Sequence, residues 1–453
     1  MSARVVRTAT IATLGCRLNQ AESYRLQNEL AARGVALRPF GEAVDLSIVN
    51  TCTVTHVADQ QARQLLRRAA RFSPGGFVVA VGCYAQVSPG EVAAVEGVDL
   101  VVQSDKEGLV DHLVGNGLVL GGKSDDDFPE YLSDDRSLER APPIGEGTQA
   151  RVRQFVKVQD GCDDYCTYCI VPFARGHSAS RPAAVVAAEV RGLIERGCRE
   201  VVLTGVQIGA YGRDRYPLRE AGIPVRGAPL AQLVHRLLAE TEIRRIRISS
   251  IQPQDWPDDL LELFSDPRLC RHLHLPLQSG SDATLRRMSR RYRTADFRRL
   301  VERIRSAVPS VAITADVIVG FPGESDLDHR ASLDFVAGME FSDAHVFRYS
   351  PRHGTAASRM ADQILAEVKR SRGEEMREVL GASGLKFRRQ FLGTRARVLW
   401  EEELPADDGR RCWTGLTGNY LRVNCALPAD LLGQETEVRL DRLDGEDFGS
   451  DGW

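Results

Sequence analysis

Short apolar, β-rich runs alternate with helical patterns along most of this chain, and that alternation restricts the fold more than any other feature. At the amino-terminal end the runs 9–14, 44–49, 77–81 and 98–102 are separated by helical patterns at 18–32, 58–72 and 89–95. Such succession means parallel strands joined by crossover helices, because a parallel neighbour needs a connection long enough to cross the sheet. Three of the runs lead straight into a cysteine: Leu14-Gly15-Cys16, Asn50-Thr51-Cys52 and Val81-Gly82-Cys83. Open α/β sheets bind ligands beyond the carboxyl ends of their strands. A lone cysteine there would ordinarily be a buried apolar thiol, but three in the same position are expected to meet at one site.

The pattern divides the chain. Periodicity fades over 115–150, which is acidic and turn-rich around Asp125, Asp126, Asp127, Pro142 and Pro143 and reads as a linker. From 151 the alternation resumes, with strands expected at 155–158, 201–203, 246–249, 273–275, 313–319 and 345–349 and helices such as 183–196 and 297–308. Six β/α repeats predict a partial (β/α)6 TIM-like barrel with its active site at the strand carboxyl ends. Beyond 380 the short runs 395–400, 412–416, 420–423 and 435–440 predict a small antiparallel β-barrel, and the acidic tail 441–453 is expected to fray. The expected parts of this α/β chain are therefore an open parallel domain at 1–114, the linker 115–150, the barrel 151–380 and the small barrel 384–447.

With 43% hydrophobic and 27% charged residues among 453, the composition is that of a globular protein and excludes disordered or fibrous classes. No apolar run reaches the length of a membrane span, and Arg4 and Arg7 interrupt the amino terminus, so neither a membrane span nor a signal peptide is expected and the location is expected to be cytoplasmic. Ten cysteines in a reducing compartment point to metal binding or catalysis rather than disulfides. Cys162, Cys166 and Cys169 form a C-x3-C-x2-C group after the first barrel strand, in a loop opened by Gly161. Three soft thiolates hold a four-iron cluster and leave one iron open to a cofactor. A zinc site completed by His177 is the alternative.

The segments 158–162 (Val-Gln-Asp-Gly-Cys) and 169–176 (Cys-Ile-Val-Pro-Phe-Ala-Arg-Gly) resemble the radical S-adenosylmethionine superfamily, and within it the methylthiotransferases. That branch has an amino-terminal domain with three dispersed cysteines before the barrel and a small RNA-binding barrel, the TRAM domain, after it. The resemblance implies that Cys162, Cys166 and Cys169 ligate the radical-generating 4Fe-4S cluster, and that Cys16, Cys52 and Cys83 ligate an auxiliary 4Fe-4S cluster. It further implies S-adenosylmethionine contacts at Gly205 and Gln207, Gln278 and Ser279, and Gly320 and Glu324, although Thr204-Gly205 departs from the commoner Gly-Gly-Glu.

Segments 13–20, 50–55 and 346–352 resemble the group acting on N6-threonylcarbamoyladenosine beside the tRNA anticodon, with Thr53-Val54-Thr55 setting it apart from sisters that act on isopentenyladenosine or on a ribosomal-protein aspartate. The implied product is the 2-methylthio derivative, and the implied partners are tRNA, an electron donor such as flavodoxin or ferredoxin, and a sulfur donor. Net charge is only −3, so any RNA surface must be local. Arg286, Arg287, Arg290, Arg291 and Arg293, with Arg395 and Arg397 of the small barrel, are the candidates, and Trp400, Trp413 and Tyr420 are candidate stacking surfaces. A non-catalytic, zinc-stabilised RNA-binding module is the reading from another class.

Overall fold

The computed structural model describes residues 4–103, 108–121, 151–214, 228–405, 411–426 and 429–450. At the amino-terminal end, five parallel strands run in the order Ala36–Leu37, Thr8–Thr13, Leu46–Thr51, Phe77–Gly82 and Leu100–Val101. The helix Arg17–Ala32 packs Leu26 and Leu30 against one face, and His56–Phe72 packs Ala62, Leu66 and Ala69 against the other. Covered on both sides, the central strand Leu46–Thr51 is buried at every position, which is why it reads as a continuous run. Thr13 lies opposite Asn50, and Thr51 opposite Gly82. This register ends the three strands at one edge and delivers Cys16, Cys52 and Cys83 there.

The stretch expected to be a linker starts as structure. Leu118–Leu120 forms a parallel pair with Arg4–Val6, because Leu118, Leu120 and Val6 belong to the amino-terminal core. Most of the remaining linker expectation, 122–150, lies outside the described residues.

The expected six barrel strands are Arg153–Lys157, Glu200–Thr204, Arg245–Ile248, His272–His274, Ala312–Val319 and Asp343–Arg348. They form two parallel groups of three, joined where Ser250 bridges His274 and the Ile251 amide donates to the His274 carbonyl at 3.0 Å. Helices Ala183–Glu195, Pro229–Glu240, Thr294–Ala307 and Asp326–Met339 contribute their apolar stripes to one continuous core with the strands. The last core helix, Ala366–Arg389, runs through the boundary expected at 380–384, so the barrel and the carboxyl-terminal unit share it.

That unit is a six-stranded sheet in the order Glu435–Arg439, Arg395–Leu404, Cys412–Thr417, Arg422–Ala426, Asp447–Ser450, Arg442–Asp444. It is antiparallel apart from one parallel pair, Arg422–Ala426 with Asp447–Ser450. Of the tail expected to fray, the described part through Ser450 belongs to the sheet, held by Phe448, which is fully buried with Trp400 and Trp413, and 451–453 lie outside the described residues. Those two tryptophans are core residues whose indole N–H groups donate to Thr436 and Ala429, so they offer RNA no stacking face. Tyr420 is also engaged, its ring stacked 4.3 Å from that of His272.

The sheet closes the amino-terminal mouth of the barrel. Glu200, Arg245 and His272 each begin a barrel strand, and Arg245 donates to the carbonyls of Leu416 and Arg397 and to Glu435. Arg247 reaches the carbonyls of Thr417 and Gly418 while pairing with buried Glu200 at 2.7 Å. Burial alone would raise the Glu200 carboxyl, but Arg247, Arg153 and Arg245 hold it below the ordinary glutamate value. The six candidate cluster cysteines lie at the opposite, carboxyl-terminal mouth.

Candidate functional site

The loop after the first barrel strand is shaped by backbone constraints. Gln159–Asp160 pairs with Ala179–Ser180, and Gly161 turns at φ +68°, where an added Cβ would stand 1.9 Å from the His177 carbonyl oxygen. Only glycine is accommodated there. The Cys162 amide donates to the Gly176 carbonyl at 3.1 Å and that of Cys169 to the Cys166 carbonyl at 2.9 Å, so the three thiols are gathered in one compact turn. The Cys162 thiol donates to Gln207 at 3.3 Å, and Gln207 in turn donates to Asp164 and Asp255.

Burial pushes the Cys162 thiol up to about 11 and the Cys169 thiol up to about 12, with Asp164 and Cys166 contributing to the first rise and Cys166 to the second. In the amino-terminal set burial pushes Cys52 up to about 11, with Cys83 and Cys16 adding to the rise. Within each set, therefore, the sulfurs are near enough to oppose one another's ionisation. Two sets of three soft thiols, Cys52 and Cys83 buried, Cys16 exposed and the other three half-buried, fit iron-sulfur ligation. The zinc alternative calls for His177 as a fourth ligand, and that imidazole is exposed and paired with Asp163 at 2.6 Å.

A buried arginine accompanies each set. Arg290 donates to the Cys166 sulfur at 3.2 Å and also reaches Gln252 and Tyr292. It was an RNA candidate by sequence; instead it is 5% exposed, because the turn between Asp282–Arg287 and Thr294–Ala307 dips into the barrel mouth. Arg286, Arg287 and Arg291 from the same run are exposed, while Arg293 is half-buried and donates to the carbonyls of Arg290 and Tyr292. Arg395 and Arg397 are exposed on the carboxyl-terminal sheet, at the other end of the barrel.

Arg175 serves the amino-terminal set. It carries charge close to Cys83, Cys16 and Cys52, donates to Asn19 at 2.6 Å and to Glu22 at 2.8 Å, and reaches back to Asp160 at 3.0 Å. Lys157, the last residue of the first barrel strand, stands 3.6 Å from Glu22 and 3.2 Å from Asp160. These buried charges fasten the cysteine edge of the amino-terminal sheet to the loop that carries Cys162. A second fastening lies after the sixth barrel strand, where Arg352 donates to Thr53 at 2.7 Å and Asp59 at 2.6 Å. The sequence motifs contained Arg175 and Arg352 without a role for either; their partners in the amino-terminal domain lie more than a hundred residues away, so only the recurrence of charge in otherwise apolar motifs could have marked them.

The residues expected to meet S-adenosylmethionine sit at the same mouth, with local duties of their own. Gln207, Gln278 and Ser279 are buried at strand ends, and Gln278 adopts φ +67° to place its amide on the Asp316 carbonyl at 2.7 Å. The space at Gly205 is taken by the Gln159 side chain, and that at Gly320 by Lys369. The Glu324 carboxylate accepts from the Gly320 amide at 3.1 Å and from Arg372 at 2.9 Å, and burial pushes it above the ordinary glutamate value.

Comparison with known proteins places this arrangement. Residues 156–336 match the Radical SAM superfamily and residues 8–103 match the Uncharacterized protein family UPF0004. Threonylcarbamoyladenosine tRNA methylthiotransferase MtaB of Bacillus subtilis is 34% identical over 95% of this chain and 94% of its own length. The Thermotoga maritima protein of the same name is 36% identical over 87% of each chain. The tRNA-2-methylthio-N(6)-dimethylallyladenosine synthase of Nitratidesulfovibrio vulgaris is 34% identical over 93% and 92%. Among solved structures, the radical S-adenosylmethionine methyltransferase TsrM from Kitasatospora setae shares the fold, with a TM-score of 0.52 at 16% identity over 79% of this chain and 77% of that one. With both cysteine-bearing domains matched and relatives aligned along nearly the whole length, the chain belongs to the radical S-adenosylmethionine methylthiotransferases, enzymes that use two 4Fe-4S clusters and S-adenosylmethionine.

Proposed function

We propose that this radical S-adenosylmethionine tRNA methylthiotransferase acts on N6-threonylcarbamoyladenosine beside the anticodon and converts it to the 2-methylthio derivative. Overall identity does not separate this substrate from dimethylallyladenosine, since relatives with either name stand at 34%. The observation that carries the choice is local. Two segments resembling the threonylcarbamoyladenosine group, 50–55 and 346–352, come from different domains and meet where Arg352 donates to Thr53 and Asp59. The wall they build is polar, as the threonylcarbamoyl substituent is and an isopentenyl group is not.

In this reading Cys162, Cys166 and Cys169 hold the radical cluster, and Cys16, Cys52 and Cys83 hold the auxiliary one. When bound, these clusters and S-adenosylmethionine supply the hydrogen-abstracting radical and the methylthio sulfur. The protein's share is placement. Arg175, Glu22 and Asp160 fix the two cysteine sets relative to each other. Gln207, held by Asp164 and Asp255, stands beside the Cys162 sulfur. The T-shaped contacts of Phe321 with Tyr168 and Tyr349 make an apolar wall beside the Cys166–Cys169 turn that helps to keep water out.

Mass spectrometry of tRNA nucleosides from a strain lacking this protein tests the assignment. The expected result is loss of the 2-methylthio derivative with accumulation of threonylcarbamoyladenosine. Loss of methylthio-isopentenyladenosine instead, or of a methylthio group on ribosomal protein with tRNA unchanged, overturns it.

A further inference from the structure

Beside the cysteines, between the amino-terminal domain and the loop after the sixth barrel strand, lies a cavity of about 390 Å³, within the size range of small-ligand pockets. It is one residue removed from two of the three amino-terminal cysteines. Thr53, next to Cys52, accepts from Arg352 in the cavity wall, and Tyr84, next to Cys83, accepts from Arg63 and donates to Glu91 at 2.6 Å, both of which line it. It is also tied to the other cysteine set: Tyr349, three residues before Arg352, packs on Phe321, which packs on Tyr168 between Cys166 and Cys169.

The lining chemistry is selective. Among the described residues Val87 is its one apolar side chain. Both acids in the wall are already matched, Asp59 by Arg352 and Glu91 by Arg63 and Tyr84. What is left for a ligand is mainly donor capacity. Arg352 lines the wall, with its Nη1 facing His56 at 3.4 Å. His56 opens the helix His56–Phe72, whose amino terminus adds partial positive charge. Gln60 and His353 are exposed at the rim, and half-buried Ser88 offers a hydroxyl.

We propose that this cavity receives the threonylcarbamoyl substituent of the target adenosine, with its carboxylate toward Arg352, His56 and His353 and its hydroxyl and urea groups toward Gln60 and Ser88. The inference rests on the substrate reading above and extends it to a binding site and its residues. An isopentenyl group in the same place would pair with none of the polar side chains that line the cavity, and a pocket built for hydrogen bonding rejects a ligand that offers none.

The test uses the full-length enzyme reconstituted with iron and sulfide, and synthetic anticodon stem-loops that differ only at the target adenosine: threonylcarbamoyl, its carboxylate methyl ester, isopentenyl, or unmodified. Gln60→Glu and His353→Glu bring a competing carboxylate to an exposed rim and leave the Arg352 contacts between the domains intact. The parent protein should bind the threonylcarbamoyl stem-loop about tenfold more tightly than its methyl ester, the worth of one charge-assisted hydrogen bond. Each variant should weaken the threonylcarbamoyl stem-loop about tenfold and leave the unmodified one unchanged. Equal affinity for acid and ester, or equal weakening of every stem-loop, overturns the assignment. If the parent methylthiolates the isopentenyl stem-loop and not the threonylcarbamoyl one, the substrate reading itself fails. If it methylthiolates threonylcarbamoyladenosine and the variants show no discrimination, only the cavity assignment fails.

Discussion

Replacing Arg175 by glutamine removes a buried guanidinium that touches Asn19, Glu22 and Asp160, and takes one cation away from both carboxylates. Breaking a buried pair on one side strands its partner charge, and we expect a loss of about 3 kcal/mol in urea unfolding. Glu22→Gln in the same background should return part of that loss, which the double-mutant cycle measures directly. The cysteines give a second prediction at this scale. Reconstituted parent protein should hold about eight irons, and replacing Cys162, Cys166 and Cys169 together by alanine should leave about half, as read by iron and acid-labile sulfide content. The cysteines were legible in the sequence because strand periodicity alone places residues at strand ends. Arg175, Arg290 and Arg352 were not, since an arginine's role follows from its partner, and nothing local in sequence names Glu22, Cys166 or Thr53 as that partner.

Among elements, the last strand departs furthest from expectation. Asp447–Ser450 lies in an acid-rich stretch whose composition reads as a frayed end, yet one aromatic side chain decides its fate. Phe448 is fully buried beside Trp400, Trp413 and Val423, and pairing with Arg422–Ala426 satisfies the backbone. Phe448→Ala should cost about 3–5 kcal/mol, seen as a lower thermal midpoint of the carboxyl-terminal sheet, whereas a frayed tail would show no change. The helix Ala366–Arg389 carries a related lesson. Its pattern is continuous through Leu380 and Gly384, so the change in strand content that marks the carboxyl-terminal unit begins beyond an unbroken helix.

At the scale of the whole molecule, the carboxyl-terminal sheet and the cysteines sit at opposite mouths of the barrel, and the sheet is docked by Arg245, Arg247 and the stacked pair His272 and Tyr420. Cutting the chain near residue 383 would break a helix and strip partners from those arginines, so charge reversal is the cleaner probe of RNA binding. Arg395→Glu and Arg397→Glu should weaken tRNA binding and flatten its salt dependence, as measured by affinity at several salt concentrations. Docking should also depend on pH. Burial, with Arg247 adding to it, holds the His272 imidazole well below its ordinary value of 6.5, so the native state binds the proton less readily than the unfolded one. Stability then rises with pH across that interval: it is fully present above the ordinary histidine value and declines as pH falls below it. His272→Phe should remove that decline in thermal melts taken between about pH 5 and about pH 8. The sequence by itself determined the order of parallel strands and helices and the six cysteines at strand ends and loop, because those follow from local periodicity and spacing; the class of chemistry followed from the resemblance of the motifs around them. Tertiary structure alone decided which arginines are buried beside sulfur, where the carboxyl-terminal sheet docks, and that a polar cavity opens between two domains, because each depends on contacts between residues separated by scores to hundreds of positions whose pairing no local pattern encodes.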